Sequence, residues 1–144
     1  MGTNTHRSGE STADREVLVE FYTSFNHYVS DRGGRDELAA TLSDDVVWTD
    51  VTNAGRSKRV WTGTDAVIGA IATPVRERTA HLQALPERFT EADDTVVVEG
   101  AYVGIADETE FDVPYVHVFE LADATIQNCR AYTDTALERQ VFEP

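Results

Sequence analysis

Three short segments of this chain hold side chains able to move a proton or steady an oxyanion. The first is Val46-Val47-Trp48-Thr49-Asp50. In an extended strand Val46, Trp48 and Asp50 share a face. A carboxylate beside apolar groups has its charged form disfavoured, so its pKa rises and it can exchange a proton near neutrality. Asp50 has a plainer reading as the cap of the loop that follows. The second segment runs from Phe111 to Leu121 and sets Phe111, Val113, Tyr115, His117, Phe119 and Leu121 on one face. A histidine among aromatics can donate a hydrogen bond to a ligand oxygen, or it can be a satisfied core residue. The third segment is Cys129-Arg130-Ala131-Tyr132-Thr133-Asp134. Arg130, Tyr132 and Asp134 share one face; Cys129, Ala131 and Thr133 share the other. Tyr132 and Asp134 can jointly bind or protonate a ligand. Alternatively, that face is a sheet edge where Arg130 meets an acid at a dimer contact.

Other chemistry is poorly supplied. His6, His27, His81 and His117 show no metal-ligand spacing, so no metal site is expected. No nucleophile elbow, P-loop or dinucleotide fingerprint occurs, and no cofactor is expected. The single cysteine, Cys129, excludes an internal disulfide and a cysteine-based zinc site, and reads as a small core residue. Arg56, Lys58 and Arg59 make a small basic loop, read as solvated, although it can attract an anion.

The elements that position these residues follow from periodicity. Val17, Leu18, Phe21, Tyr22, Phe25, Tyr28 and Val29 recur at three and four, predicting a helix over 14–30 that the Gly33-Gly34 pair stops. A short helix is predicted over 36–42, a strand over 46–50, a loop over 52–57, and a third helix from Thr64 to about Glu77 with Pro74 inside it. The remainder reads as an antiparallel meander: 81–89 bent at Pro86, then 95–105, 111–121 and 125–134. Helices first and strands afterwards predict an α+β fold, with three N-terminal helices on one side of a curved, mostly antiparallel sheet. Residues 1–12 are polar, lack the apolar core of a secretory signal, and read as a disordered leader. Residues 13–144 are then one domain.

Composition narrows the partners. Asp and Glu total 26 against 12 Lys and Arg, a net charge of −14, and Lys58 is the only lysine. Such a surface repels nucleic acid and anionic membranes, so neither is expected as a partner. No run reaches the ~18 apolar residues of a membrane span. Acidic, lysine-poor composition resembles proteins of salt-loving microbes, in which salt screens self-repulsion. A reducing, cytoplasmic compartment is the simplest expectation for a chain with one cysteine.

Several segments, in their order, resemble the SnoaL-like, ketosteroid isomerase-related branch of the nuclear transport factor 2-like (NTF2-like) superfamily. They are Phe21-Tyr22 with Phe25-Asn26, Asp44-Asp45-Val46-Val47-Trp48, Trp61-Thr62-Gly63-Thr64-Asp65-Ala66-Val67, Val116-His117-Val118-Phe119-Glu120-Leu121, Tyr132-Thr133-Asp134-Thr135-Ala136 and Arg139-Gln140-Val141. The resemblance covers roughly residues 15–142 and implies a cone in which a sheet wraps a pocket. It sets Asp50 where the isomerases keep their general base and His117 near their oxyanion-hole acid. Phe21 stands in place of their oxyanion tyrosine, with Tyr22 one step off. Asp134 resembles the final-strand aspartate of SnoaL-type cyclases. The implied activity is isomerisation, cyclisation or dehydration beside a carbonyl, in a homodimer joined through the outer sheet face with Val97, Ala101 and Val103 in contact. The candidate catalytic residues are Asp50, His117, Asp134 and Tyr132. Trp48, Tyr115, Phe119, Phe21 and Tyr22 would hold a small apolar or carbonyl-containing molecule. The alternative is a non-catalytic ligand-binding or dimerisation module, because this fold hosts many functions.

Overall fold

The computed structural model describes residues 2–79 and 81–142, with side chains described for 13–53, 55–79 and 81–141. The first helix, α1, spans Gly2–Val29, and its apolar stripe packs Leu18, Phe21, Tyr22 and Phe25 into the core, each nearly inaccessible to solvent. Its backbone begins well ahead of residue 14. The leader expected over residues 1–12 falls where side chains lie outside the described residues. The helix α2, Arg35–Ala40, is one short turn that buries Leu38. Its N-terminus is set by Gly34 at φ 92°, a left-handed conformation that glycine adopts at no steric cost.

The strand β1, Leu42–Asp50, starts earlier than the sequence predicts and takes in the acidic Ser43-Asp44-Asp45 segment. That segment lies where the register against the neighbouring strand shifts, between Leu42 and Val47. Its acids are exposed and hide the strand from an alternation count. A 3-10 turn, Asn53–Gly55, precedes β2, Arg59–Thr62, which the sequence reading leaves in the loop. The helix α3, Thr64–Arg78, passes through Pro74 and buries Val67, Ile68, Ala72 and Val75. Four long strands follow: β3 His81–Ala92, β4 Thr95–Ala106, β5 Thr109–Ala122 and β6 Thr125–Thr133. A helix not foreseen from the sequence, α4 Thr135–Phe142, ends the described chain.

The strands form one sheet in the order β2-β1-β6-β5-β4-β3. All pairings are antiparallel except β1 with β6, so the fold is α+β with a mostly antiparallel sheet, as expected. Long strands with a register shift at Pro86/Arg88 curl the sheet, and α1, α2 and α3 close over its concave side. Asn26 fastens α1 to the edge strand β3. Its Nδ2 donates to the Ala84 carbonyl at 3.0 Å and its Oδ1 accepts from the Ala84 N–H at 2.8 Å, satisfying edge groups that would otherwise be open.

The core is an aromatic stack with Phe21 at its centre. Its ring meets Trp48 at 5.9 Å and Phe119 edge-on at 5.6 Å. Burying such side chains is worth roughly 1.5–3 kcal/mol each, with a further ~0.5–1.5 kcal/mol for good aromatic geometry. None of the described helices is long and apolar enough to cross a membrane.

Candidate functional site

The concave face of the sheet and the inner face of α3 enclose a cavity of about 440 Å³. Alternation delivers Trp48 and Asp50 to it from β1, Tyr102 from β4, His117 from β5, and Ala131 and Thr133 from β6. Phe21, Tyr22 and Phe25 reach it from α1, and Ile71, Pro74 and Val75 wall it from α3. Volume and lining fit a small organic ligand, for which sites of ~300–1,000 Å³ are usual.

At the inner wall His117 is almost wholly buried, and both its ring nitrogens are engaged. The Tyr22 hydroxyl lies 2.7 Å from Nδ1 and the Tyr102 hydroxyl 2.8 Å from Nε2. Burial pushes the His117 pKa down to about 3, because the charged ring would lose its hydration. The imidazole is therefore neutral at ordinary pH, with one N–H and one lone pair. One tyrosine must donate to it and the other must accept from it. The accepting tyrosine keeps its own O–H free for another partner. Burial also pushes both hydroxyl pKa values well up, and the charges of Glu138 and Asp50 add to the rise at Tyr102. Both tyrosines stay protonated, and the one that accepts from His117 keeps its hydrogen for a ligand. His117 orients those hydroxyls and has no vacant ring nitrogen for a ligand.

Tyr115 stacks on His117 at 4.1 Å but lies behind the cavity wall. Its ring folds over Gly100, where an added Cβ would sit 2.7 Å from its hydroxyl oxygen. Burial raises its pKa, and the nearby Tyr22 hydroxyl opposes the rise; no hydrogen bond of good geometry satisfies the buried Tyr115 hydroxyl. Phe119 is fully buried beneath the same stack and does not reach the cavity.

Asp50 stands at the end of β1, half-buried. Its Oδ1 accepts the Asn53 N–H at 2.8 Å, which is the loop-capping role read from the sequence. Its Oδ2 takes part in no hydrogen bond among the described residues. Burial raises its pKa above the ordinary aspartate range, and the Asn53 hydrogen bond opposes the rise. Asp50 thus caps the loop with one oxygen while the same side chain lines the cavity.

Asp134 and Tyr132 go elsewhere. Ala131 and Thr133 face inward, so Tyr132 points to the outer face. Asp134 is exposed and caps α4, its Oδ1 accepting the Leu137 N–H at 3.1 Å. Arg130 pairs with Glu120 on the outer face at 3.4 Å. Lining residues that escaped the sequence reading include Tyr102, Trp61, Arg78 and Glu138, the last accepting from Thr133 Oγ1 at 2.8 Å. For Tyr102 the signal exists, since the alternation that puts Val97, Ala101 and Val103 outside puts Tyr102 inside. Among the described residues no three His, Cys, Asp or Glu side chains converge on a metal position.

A cone-shaped sheet closed by helices over an aromatic, acid-bearing cavity defines an NTF2-like pocket protein. The SnoaL-like domain family matches residues 18–128, and the chain belongs to that family. No curated protein matches it significantly. Among solved structures it is similar to an NTF2-like protein of unknown function from Burkholderia pseudomallei, with 22% identity, 92% of this chain and 98% of that one covered, and a TM-score of 0.75. It is similar also to a SnoaL-like polyketide cyclase, so described without proof of activity, from a Jannaschia species (23% identity, 92% and 94% covered, TM-score 0.75). A third is TerC, co-crystallized with polyporic acid (20% identity, 92% and 99% covered, TM-score 0.75). At these identities the likeness establishes the fold.

Proposed function

We propose that this protein is a cofactor-independent acid–base enzyme acting beside the carbonyl of a small molecule, of isomerase, cyclase or dehydratase type. The observation that carries the reading is one half-buried carboxylate, with an oxygen in no hydrogen bond among the described residues, on the same cavity as the Tyr22–His117–Tyr102 chain. Asp50 takes a proton from the carbon next to the carbonyl, helped by its raised pKa. The C–H electron pair becomes a C=C bond and the carbonyl π pair moves onto the oxygen, giving an enolate. A Tyr22 or Tyr102 hydroxyl donates to that oxygen, and preorganised donors are most effective where charge develops. His117 acts as a positioning residue: by giving its N–H to one tyrosine it frees that tyrosine's hydrogen for the ligand. Asp50 then returns the proton to another carbon or to a leaving oxygen. Trp48 and Phe21 hold the ligand's apolar body.

The test follows hydrogen–deuterium exchange at the α-carbon of an enolisable ketone by NMR. Asp50→Asn should abolish exchange with the fold intact by circular dichroism. Tyr102→Phe should slow it by about 10²–10³, the cost of losing one oxyanion donor. Exchange at the wild-type rate in Asp50→Asn refutes the reading, and a ligand-binding module without catalysis takes its place.

The same reading takes the protein as a cytoplasmic homodimer of a salt-rich cell, joined through the outer sheet face. Val97, Val103, Val116 and Val118 remain only partly buried there. Light scattering should give about twice the 15.9 kDa chain mass, and a monomer in high salt refutes the dimer.

A further inference from the structure

We infer that Arg59 selects an anionic ligand, so that the substrate class is a small apolar or aromatic molecule bearing a carboxylate. Arg59 lies directly opposite Asp50 in the β1–β2 register, which puts both side chains on the cavity face. Two opposite charges so placed ordinarily form an ion pair. Here they do not: the Arg59 guanidinium carbon lies over the Trp61 ring, 5.2 Å from its centroid. Among the described residues it meets no carboxylate. The Trp61 contact is made with a π face and occupies none of the guanidinium's N–H donors in a hydrogen bond to a carboxylate. The planar guanidinium fork matches a carboxylate in bidentate fashion.

The surroundings support the same ligand. Arg56 and Arg78 also line the cavity, although each has interactions of its own. Three arginines against the carboxylates of Asp50 and Glu138 make the lining net positive on a chain of net charge −14. Several arginines elsewhere meet acids, as in Arg35–Asp65 at 3.0 Å and Arg76–Asp31 at 2.7 Å. The cavity lining therefore differs in sign from the chain as a whole. The inner end offers tyrosine hydroxyls to a neutral oxygen and the rim offers a fork to a charged one. A ligand with a carbonyl at one end and a carboxylate at the other spans both. The carbonyl half of that description rests on the proposed enzyme reading; the carboxylate half rests on Arg59.

The experiment titrates the full chain by calorimetry with 3-benzoylpropanoate, an aromatic keto acid, and with its methyl ester, in about 0.1 M KCl. The acid should bind at least about tenfold more tightly than the ester, as a charge-assisted pair implies. Arg59→Gln should bring the acid to the ester's affinity and leave the ester's unchanged. Arg59→Lys should recover only part of the preference, because an ammonium lacks the fork. Equal binding of acid and ester, no binding of the acid, or an acid preference that survives Arg59→Gln overturns the inference. Deuterium exchange at the ester's α-carbon separates the two readings. Exchange without acid preference keeps the enzyme and rejects Arg59; acid preference without exchange does the reverse.

Discussion

Acid should destabilise this protein in part through His117, and that part can be isolated. His117 titrates near pH 6.5 in the unfolded chain and near pH 3 in the fold. Its folded pKa is depressed, so protonation favours the unfolded state. The stability that neutral His117 contributes is complete above about pH 6.5 and is lost as pH falls toward 3. The unfolded chain binds one proton more across that window, which costs about 1.4 kcal/mol per pH unit. Between pH 7 and pH 4.5 the loss is about 2–3 kcal/mol. The chain also carries 26 Asp and Glu side chains, so the measurement must be a difference. Urea unfolding of wild type and His117→Gln at several pH values cancels the carboxylates common to both. The stability advantage of wild type should shrink by that amount on going from pH 7 to 4.5. Nitrogen NMR of the wild-type ring supplies an independent readout and should show a neutral imidazole down to about pH 4. A pH-independent difference, together with a ring that protonates near 6.5, refutes the buried Tyr22–His117–Tyr102 chain.

Two further outcomes bear on the fold. Gly100→Ala should cost about 1–3 kcal/mol or more, because its Cβ would sit 2.4 Å from the Leu85 carbonyl oxygen and 2.7 Å from the Tyr115 hydroxyl; an unchanged urea midpoint would mean that Tyr115 does not lie across Gly100. The melting temperature should rise as KCl goes from about 0.1 M to about 1 M, since the Debye length shrinks from about 10 Å to about 3 Å and self-repulsion is screened. A flat response rejects adaptation to salt.

Local chemistry fixed much of this protein in its sequence. Period-two alternation ties Trp48 to Asp50 and Tyr115 to His117, whatever the sheet does with them. The heptad-like recurrence of Leu18, Phe21, Tyr22 and Phe25 makes α1, and turn residues punctuate the meander. Alternation says which residues share a face; it does not say which face turns inward. On β6 that choice belongs to the parallel pairing with β1, and it sends Ala131 and Thr133 to the cavity and Tyr132 and Asp134 away from it. The edge strand β2 is mostly exposed and carries no apolar rhythm, so Arg59 and Trp61 reach the rim through pairing with Asp50 and Trp48 alone. The two hydrogen bonds that occupy His117 come from residues 95 and 15 positions away. Tyr102 comes from the neighbouring strand β4, but no spacing rule reaches Tyr22, whose contact exists only once the sheet has curled and α1 has closed over it.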